Sequence, residues 1–183
     1  MRIKENQPLA WSVLAVVVVL CLLLSGGGSL KKQALALTDR FFASSESISA
    51  DLREKADDAY VMAGIARGYE AVDASLTGAV ETGVMALRAA LDEKDIGGCF
   101  AASVELTDAV EDLYTAGSKV EMQGSDGEDF RYKYKNVSSA DLRISHDEYN
   151  DAAERFARVR NGFPASLISA VWGIAAPETF TGK

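Results

Sequence analysis

The chain has 183 residues, of which 48% are hydrophobic and 25% charged, and this composition suits one helical domain with an apolar anchor. The net charge is −8, and residues 1–24 contribute +1, so the remaining residues carry −9. Such an acidic surface repels phosphate groups, and we therefore expect that the protein binds no nucleic acid.

The first predicted element is an apolar helix near the N-terminus. The run "LAWSVLAVVVVLCLLL", Leu9 to Leu24, contains no charged residue, and as a helix it spans about 24 Å. Continuing the helix through the three glycines at 26–28 to Leu30 approaches the roughly 30 Å of a bilayer's hydrocarbon core. We predict a transmembrane helix that contacts the lipid bilayer through Leu9 to Leu24. The alternative is a signal peptide that is cleaved near "SGG".

The sequence after the glycines favours a membrane anchor over a cleaved signal peptide, because the helical pattern resumes directly after them. We therefore divide the chain into residues 1–28, an N-terminal membrane anchor with a glycine linker, and residues 29–183, a helical-bundle domain. Basic residues flank the apolar run on both sides, so charge leaves open which side of the membrane the domain occupies.

Two sets of apolar residues, Leu30 to Ala59 and Val61 to Leu91, follow at steps of three or four. The first set predicts one long amphipathic helix, in which Ser44 or Ser45 fills a gap in the apolar stripe. The second set predicts another helix after little break. The polar run "DEKD" and the glycine pair at 97–98 mark the turn after it.

A third set begins at Ile96 or Phe100 and continues to Gly117, and a fourth extends from Phe130 to Phe163. The stretch "QGSDGED", 123–129, is the predicted loop between them. No period of two is sustained, so we predict an all-α fold. It comprises an N-terminal transmembrane helix and an elongated antiparallel four-helix bundle, with helices of roughly 25 to 35 residues.

The stretch "EYNDAAERFARVRNGFP" predicts how the last helix is held and where it ends. Tyr149 lies at the edge of the apolar stripe, where its hydroxyl needs a partner, and Asn150 can hydrogen-bond a neighbouring helix or the returning tail. A role in ligand or partner binding is the alternative for this pair. Pro164 disfavours helix at Phe163. The apolar residues from Leu167 to Phe180 are predicted to turn back and cap one end of the bundle; if exposed, they become a candidate docking surface.

The C-terminal third resembles the LemA family, bacterial proteins with one N-terminal membrane segment and a helical bundle. The matching elements are "GEDF", "EYNDAA", "NGFP" and the apolar tail ending in Phe, which contain Phe130, Tyr149, Asn150, Phe163, Pro164 and Phe180. A weaker match ends in Gly68-Tyr69. The family's Ile-Pro-Asn break between its first two helices is replaced by Tyr60-Val61-Met62, so a bend there is either absent or made differently. The family's Tyr-Pro motif before the last helix is also missing.

No constellation in the sequence predicts catalysis. The cysteines, Cys21 and Cys99, and the single histidine, His146, are too few for a zinc site. Arg143 stands where a di-metal bundle site needs a glutamate three residues before the histidine. We expect no metal and no other cofactor, and Cys99 is predicted to be a small buried hydrophobic residue.

These observations, with the resemblance to LemA proteins, predict a membrane-anchored protein that is not an enzyme. LemA proteins have no established enzymatic activity, so the resemblance implies architecture and membrane attachment. We expect a protein-interaction or scaffold module at the bacterial membrane with an unidentified protein partner. The alternative is a ligand-binding, sensor-like four-helix bundle, although the later run "LISAVWGIAA" is too short to form the second membrane span that such sensors have.

Overall fold

The computed structural model describes residues 7–42 and 47–181, and within these ranges it contains helices and no strand. The predicted all-α fold is confirmed. The helices are α1 (Gln7–Phe42), α2 (Ile48–Arg67), α3 (Ala74–Glu93), α4 (Ile96–Gly117), α5 (Asp126–Ser145), α6 (Tyr149–Asn161) and α7 (Ala165–Trp172).

Helix α1 is long and apolar enough to span a membrane. Its 36 residues have a length of about 54 Å. The apolar side chains from Trp11 to Leu20 are exposed. The helix continues through the three glycines at 26–28, as the predicted extension to Leu30 requires, so the stretch assigned as a glycine linker is helical. A signal sequence passes the same test of length and composition.

The chain divides into two compact units, which also divide its charge. The anchor unit comprises Met1–Thr38 and Asp151–Pro177, and the bundle unit comprises Asp39–Asn150 and Glu178–Lys183. The anchor unit has seven Lys or Arg residues and three Asp or Glu residues, which gives +4. The bundle unit has twelve basic and twenty-four acidic residues, which gives −12. All of the net acidity therefore belongs to the bundle unit.

Helices α2 to α5 form the predicted antiparallel four-helix bundle. Ion pairs between α2 and α5 show the direction: Asp51 pairs with Arg143, and Asp58 pairs with Lys133 ten residues earlier on α5. Later residues of α2 pair with earlier residues of α5, so the two helices are antiparallel. The bundle core is aliphatic, with fully buried side chains that include Leu52, Met62, Leu87, Leu106 and Leu113. Burial of this apolar surface is the main stabilising contribution.

The predicted boundaries of the first two helices were wrong. The expected helix over 30–59 is divided between α1 and α2, since Ser47 caps α2 by accepting a hydrogen bond from the Ala50 amide. Ser44 and Ser45 lie outside the described residues. The break between the first two bundle helices lies at 68–73. Tyr60 to Met62 belong to the continuous helix α2, so of the two alternatives for this stretch the bend is absent. Asp73 caps α3 through the Ser75 amide.

The predicted fourth helix over 130–163 is also two helices. Helix α5 ends at Ser145, and α6 begins at Tyr149, whose amide donates to Asp147 Oδ1 over 2.6 Å. The bundle helices therefore have 20 to 22 residues and are shorter than expected. Helix α6 ends at Asn161, close to the predicted stop at Phe163-Pro164, and that peptide bond is cis.

The anchor unit contains a separate apolar cluster. Leu30 of α1, Phe156 of α6, Ile168 of α7 and Ile174 pack together. Arg160 Nε donates to the Ile174 carbonyl over 2.7 Å and holds the chain after α7. The prediction that the whole apolar tail caps the bundle was therefore wrong, because Ile168 and Ile174 belong to this second core. The contacts that Phe180 makes, described below, are within the bundle unit.

Candidate functional site

Lys55 of α2 is a buried cation at the centre of the bundle unit, with 0% of its side chain exposed. Its Nζ donates to Asp141 Oδ1 over 2.6 Å and to Thr107 Oγ1 over 2.5 Å. The backbone carbonyl and the hydroxyl of Ser103 each accept over 2.9 Å. An ammonium has three N–H groups, so these four acceptors saturate it.

Burial determines the chemistry of this lysine. Desolvation lowers the pKa of the Lys55 ammonium below its ordinary value, while the hydrogen bond to Asp141 and the charge of that carboxylate act in the opposite direction. Asp141 Oδ2 lies 3.1 Å from the Thr107 hydroxyl. The Asp141 side chain is 33% exposed, so this carboxylate extends from the buried lysine to the protein surface.

A cavity of about 260 Å³ opens at Asp141. Its walls combine apolar side chains with the hydroxyls of the lysine site, and the lining residues are Phe100, Ser103, Val104, Thr107, Asp141, Ile144, Ser145, Asn150 and Phe180. An apolar pocket with a few convergent polar groups is the usual form of a small-molecule site. The exposed edge of Asp141 provides an acceptor for a ligand's N–H or O–H group.

Tyr149, at the start of α6, holds the chain that returns to the bundle unit at Glu178. Its side chain is fully buried, and its hydroxyl donates to the Glu178 carbonyl over 2.8 Å. Burial raises the pKa of Tyr149 to about 12, and the charge of Glu178 contributes in the same direction. The hydroxyl partner that the sequence required is therefore the backbone of the returning chain.

Asn150 holds the same segment through both of its side-chain groups. Its Oδ1 accepts from the Phe180 amide over 2.7 Å, and its Nδ2 donates to the Phe180 carbonyl over 3.2 Å. Phe180 then packs its ring against Phe41 and Phe100, with centroids 5.7 and 5.3 Å away. Of the two partners considered for Asn150, the returning tail is the one observed.

The returning segment also contacts the start of α4. Asp95 caps this helix by accepting from the Gly98 amide over 2.9 Å, and Glu178 Oε2 accepts from the Gly97 amide over 3.2 Å. Two carboxylates thus meet the positive end of the helix dipole, where acidic groups are stabilising. We call the set Tyr149, Asn150, Glu178 and Phe180 the tail clamp.

The structure brings together three of the six residues singled out from the sequence: Tyr149, Asn150 and Phe180. Phe130 lies elsewhere in the bundle unit, where it stacks on Tyr114 at 5.9 Å between centroids. It also lies against Gly117, and a Cβ there would come within 2.5 Å of the Phe130 ring. Phe163 and Pro164 belong to the anchor unit, and Phe163 is 86% exposed.

The sequence did not single out Lys55, Ser103, Thr107 and Asp141 as a site. A signal was present, because Thr107 and Asp141 are polar residues within apolar stripes, and Lys55 lies between Leu52 and Ala56 on the buried face of α2. Their meeting could not be predicted, since they come from three helices and the Lys55–Asp141 pair joins positions 86 residues apart.

Cys99 is fully buried, as expected, and burial raises the pKa of its thiol to about 11. A neutral, inaccessible thiol is a poor nucleophile. Within residues 7–42 and 47–181, no three His, Cys, Asp or Glu side chains gather as metal ligands.

The geometry defines an all-α protein with a four-helix bundle, a clamped tail and one helix suited to a membrane. A scan of protein-family models finds no match to the chain, and searches of curated proteins and of solved structures also find none.

Proposed function

We propose that this chain is a membrane-anchored helical-bundle protein of the LemA type. In this proposal its bundle unit is a protein-interaction or scaffold module at the bacterial membrane, without catalytic activity. The observation that carries the proposal is the exposed apolar surface of α1, from Trp11 to Leu20, on a helix of 36 residues. Exposure of such a surface to water is unfavourable, and a bilayer removes this cost.

The role as an interaction module is supported by the charge of the bundle unit. A net charge of −12 produces a field that repels other acidic surfaces and attracts basic ones. The expected partner is therefore a protein with a basic surface. The resemblance to LemA proteins supports the same general role, because it implies a bundle that is attached to a membrane by one N-terminal segment.

Membrane attachment is tested by extraction of the full chain from cell membranes with alkaline carbonate. We expect the wild-type chain to stay in the pellet. A variant carrying both Val17→Arg and Leu20→Arg should move to the supernatant, because each charge costs about 3 kcal/mol at the centre of a membrane helix. Tyr60→Arg, at an exposed position of α2, is the matched control and should stay with the wild type. Extraction of the wild-type chain would contradict the proposal.

The side of the membrane and the partner are tested in intact cells. Protease accessibility of the bundle before and after lysis determines its compartment. A photo-crosslinking residue at Leu142, which is exposed on α5, should then give one discrete adduct with a protein from that compartment. The adduct should weaken with rising salt, because charges attract the partner. Absence of any discrete adduct from several exposed bundle positions would contradict the interaction role.

A ligand-binding, sensor-like role is the second candidate, and the cavity at Asp141 favours it. A thermal-shift screen of small amines and alcohols with the full chain tests this role. A ligand of the cavity should raise the unfolding temperature of the wild type. It should have no effect on Val104→Trp, because this substitution fills the cavity. Val61→Trp, at an exposed α2 position outside the cavity, should retain the shift.

A further inference from the structure

The C-terminal tail exposes several large apolar side chains. Phe163 is 86% exposed, Leu167 54% and Val171 67%. These positions are four residues apart, so Leu167 and Val171 lie on one side of α7, and Phe163 lies just before it. Trp172 at the end of α7 is 41% exposed. Several exposed apolar side chains on one short helix mark a site that contacts a protein or a membrane.

The position of α7 within the anchor unit indicates what that phase is. Ile168 and Trp172 pack on α1 at Gly26 and Gly27. A Cβ at Gly26 would come within 2.7 Å of the Ile168 side chain, and one at Gly27 would overlap the Trp172 indole. Glycine is therefore needed at both positions for close approach. This contact holds α7 directly after the apolar run of α1.

The two tryptophans of the chain are spaced like the two surfaces of a bilayer. Trp11 lies near the start of α1, and Trp172 lies against Gly27, sixteen residues further along the same helix. At 1.5 Å per residue this separation is about 24 Å. The hydrocarbon core is about 30 Å thick, and tryptophan is enriched at both of its interfaces. When Trp11 occupies one interface, α7 places Trp172 at the other.

The charges near α7 suit a lipid surface as well. Residues 1–24 contribute +1 of the anchor unit's net charge of +4, so the part beyond the apolar run carries +3. Four basic side chains of that part are exposed: Lys31, Lys32, Arg155 and Arg158. Basic residues beside an apolar face are the usual composition of an interfacial helix. They also attract the anionic headgroups of a membrane.

We propose that α7 and Phe163 form a second membrane contact, in which the helix lies in the bilayer interface beside Gly26 and Gly27 of α1. Phe163, Leu167 and Val171 enter the boundary between headgroups and acyl chains, and the basic side chains contact anionic headgroups. The inference rests on the proposed membrane anchoring of α1. A bilayer is the occupant that the structure favours over a protein, because α7 packs on α1 at Gly26 and Gly27, a few residues after the exposed apolar side chains from Trp11 to Leu20.

Depth-dependent quenching of tryptophan fluorescence tests this inference with the full chain. The protein is reconstituted into vesicles of phosphatidylcholine and phosphatidylglycerol, whose lipids have bromine atoms at a shallow or a deep acyl position. Trp11→Phe leaves Trp172 as the reporter, and Trp172→Phe leaves Trp11. We expect emission from Trp172 to lie at short wavelength and to be quenched more strongly by shallow than by deep bromines.

The two reporters distinguish failure of the inference from failure of the proposed anchoring. Quenching of Trp11 without quenching of Trp172 leaves α1 in the membrane and overturns the interfacial role of α7. If neither tryptophan is quenched, the anchoring is wrong as well. Short-wavelength emission from Trp172 that brominated lipid leaves unchanged would assign the face to a protein or a second copy, and would also overturn the inference.

A charge on the exposed face provides a second measurement. In the Trp11→Phe background, Val171→Glu should shift Trp172 emission to longer wavelength and reduce its quenching by lipid, since a carboxylate disfavours burial among acyl chains. Val61→Glu, on the exposed surface of α2, is the control and should leave both signals unchanged. Unchanged quenching in Val171→Glu, with helicity preserved in circular dichroism, would contradict the interfacial orientation.

Discussion

At the scale of single residues, the Lys55–Asp141 pair joins a fully buried cation to a carboxylate that is partly hydrated. The two partners are therefore unequal. Loss of the carboxylate leaves an ammonium that water cannot reach, whereas loss of the lysine leaves a carboxylate that water can hydrate at its exposed edge. Removal of one partner from a buried ion pair is strongly destabilising when the charge that stays behind is buried without a partner.

We predict that Asp141→Asn lowers the free energy of unfolding by about 3 kcal/mol, because Lys55 then lacks its anionic partner. Lys55→Met should cost clearly less, since it removes the buried charge and keeps an apolar chain. Urea denaturation of the full chain in mild detergent, followed by circular dichroism, measures both effects. Asp57→Asn, on the exposed side of α2, is the control and should stay within about 0.5 kcal/mol of the wild type. A larger loss in Lys55→Met than in Asp141→Asn would contradict this account.

The raised pKa of Tyr149 predicts that the folded protein loses stability at alkaline pH. The pKa of its phenol is raised to about 12 in the folded protein, whereas an unfolded tyrosine ionises near about pH 10. Between these values the unfolded chain binds fewer protons than the folded one, so stability falls as pH rises. Tyr149→Phe removes this loss, which reaches about 2 kcal/mol near pH 12.

The measurement is the difference in unfolding free energy between wild type and Tyr149→Phe at increasing pH. At neutral pH the variant should be less stable by about 1 kcal/mol, since the hydrogen bond to Glu178 is lost. Above about pH 10 the difference should shrink. Tyr60→Phe, at an exposed position, should retain the wild-type dependence on pH. A constant difference across the series would show that Tyr149 ionises alike in both states.

At the scale of elements, the tail clamp attaches the returning segment at 178–180 to the start of α6. The side-chain amide of Asn150 donates to the Phe180 carbonyl and accepts from the Phe180 amide. We predict that Asn150→Ala lowers the free energy of unfolding by about 2 kcal/mol, because two hydrogen bonds are lost. Amide exchange at Phe180 should also accelerate.

Asp151→Ala is the matched control for Asn150→Ala, since it changes the exposed next residue on α6. It should leave both the stability and the exchange at Phe180 unchanged. An Asn150→Ala chain with wild-type stability that has lost a binding partner would reverse the interpretation. The pair would then serve recognition, the alternative that the sequence left open.

The sequence predicted the helices better than it predicted their ends. Apolar spacing identifies a buried face because each helix repeats every 3.6 residues. The same spacing continues across the break before α2, where Ser47 caps the helix, and across the short turn from His146 to Glu148. The tail clamp was predicted in part, since a buried tyrosine needs a partner. The partner's identity depends on the path of the chain from 151 to 177, which local pattern does not determine.

At the scale of the whole molecule, the separation of charge is the most consequential feature. The bundle unit has a net charge of −12, and repulsion among its carboxylates opposes compaction. Exposed ion pairs such as Asp57–Arg88 offset only part of this repulsion, because pairs of this kind contribute about 0 to 1 kcal/mol each.

We therefore predict that the bundle becomes more stable as salt rises, because ions screen the repulsion among its acidic groups. The unfolding temperature of the full chain should increase between low and moderate sodium chloride. Lys119→Glu makes an exposed position more acidic and should steepen this dependence, whereas Lys119→Gln should steepen it less. A steady decrease in unfolding temperature with salt would mean that the ion pairs outweigh the repulsion.

The tail clamp also has a consequence for the order in which the protein is made. Tyr149 precedes the carbonyl that it binds, at Glu178, by 29 residues. At ribosomal rates of about 5 to 20 residues per second, the partner of the tyrosine is synthesised roughly 1.5 to 6 s after it. During that interval Phe100 and Phe41 lack their contacts with the Phe180 ring, and Phe41 has only its earlier-made neighbours Phe42 and Tyr149 as aromatic partners. The last contacts of the bundle unit to form are therefore those of its latest-made segment, and a nascent chain retains an exposed aromatic surface until Phe180 has been added.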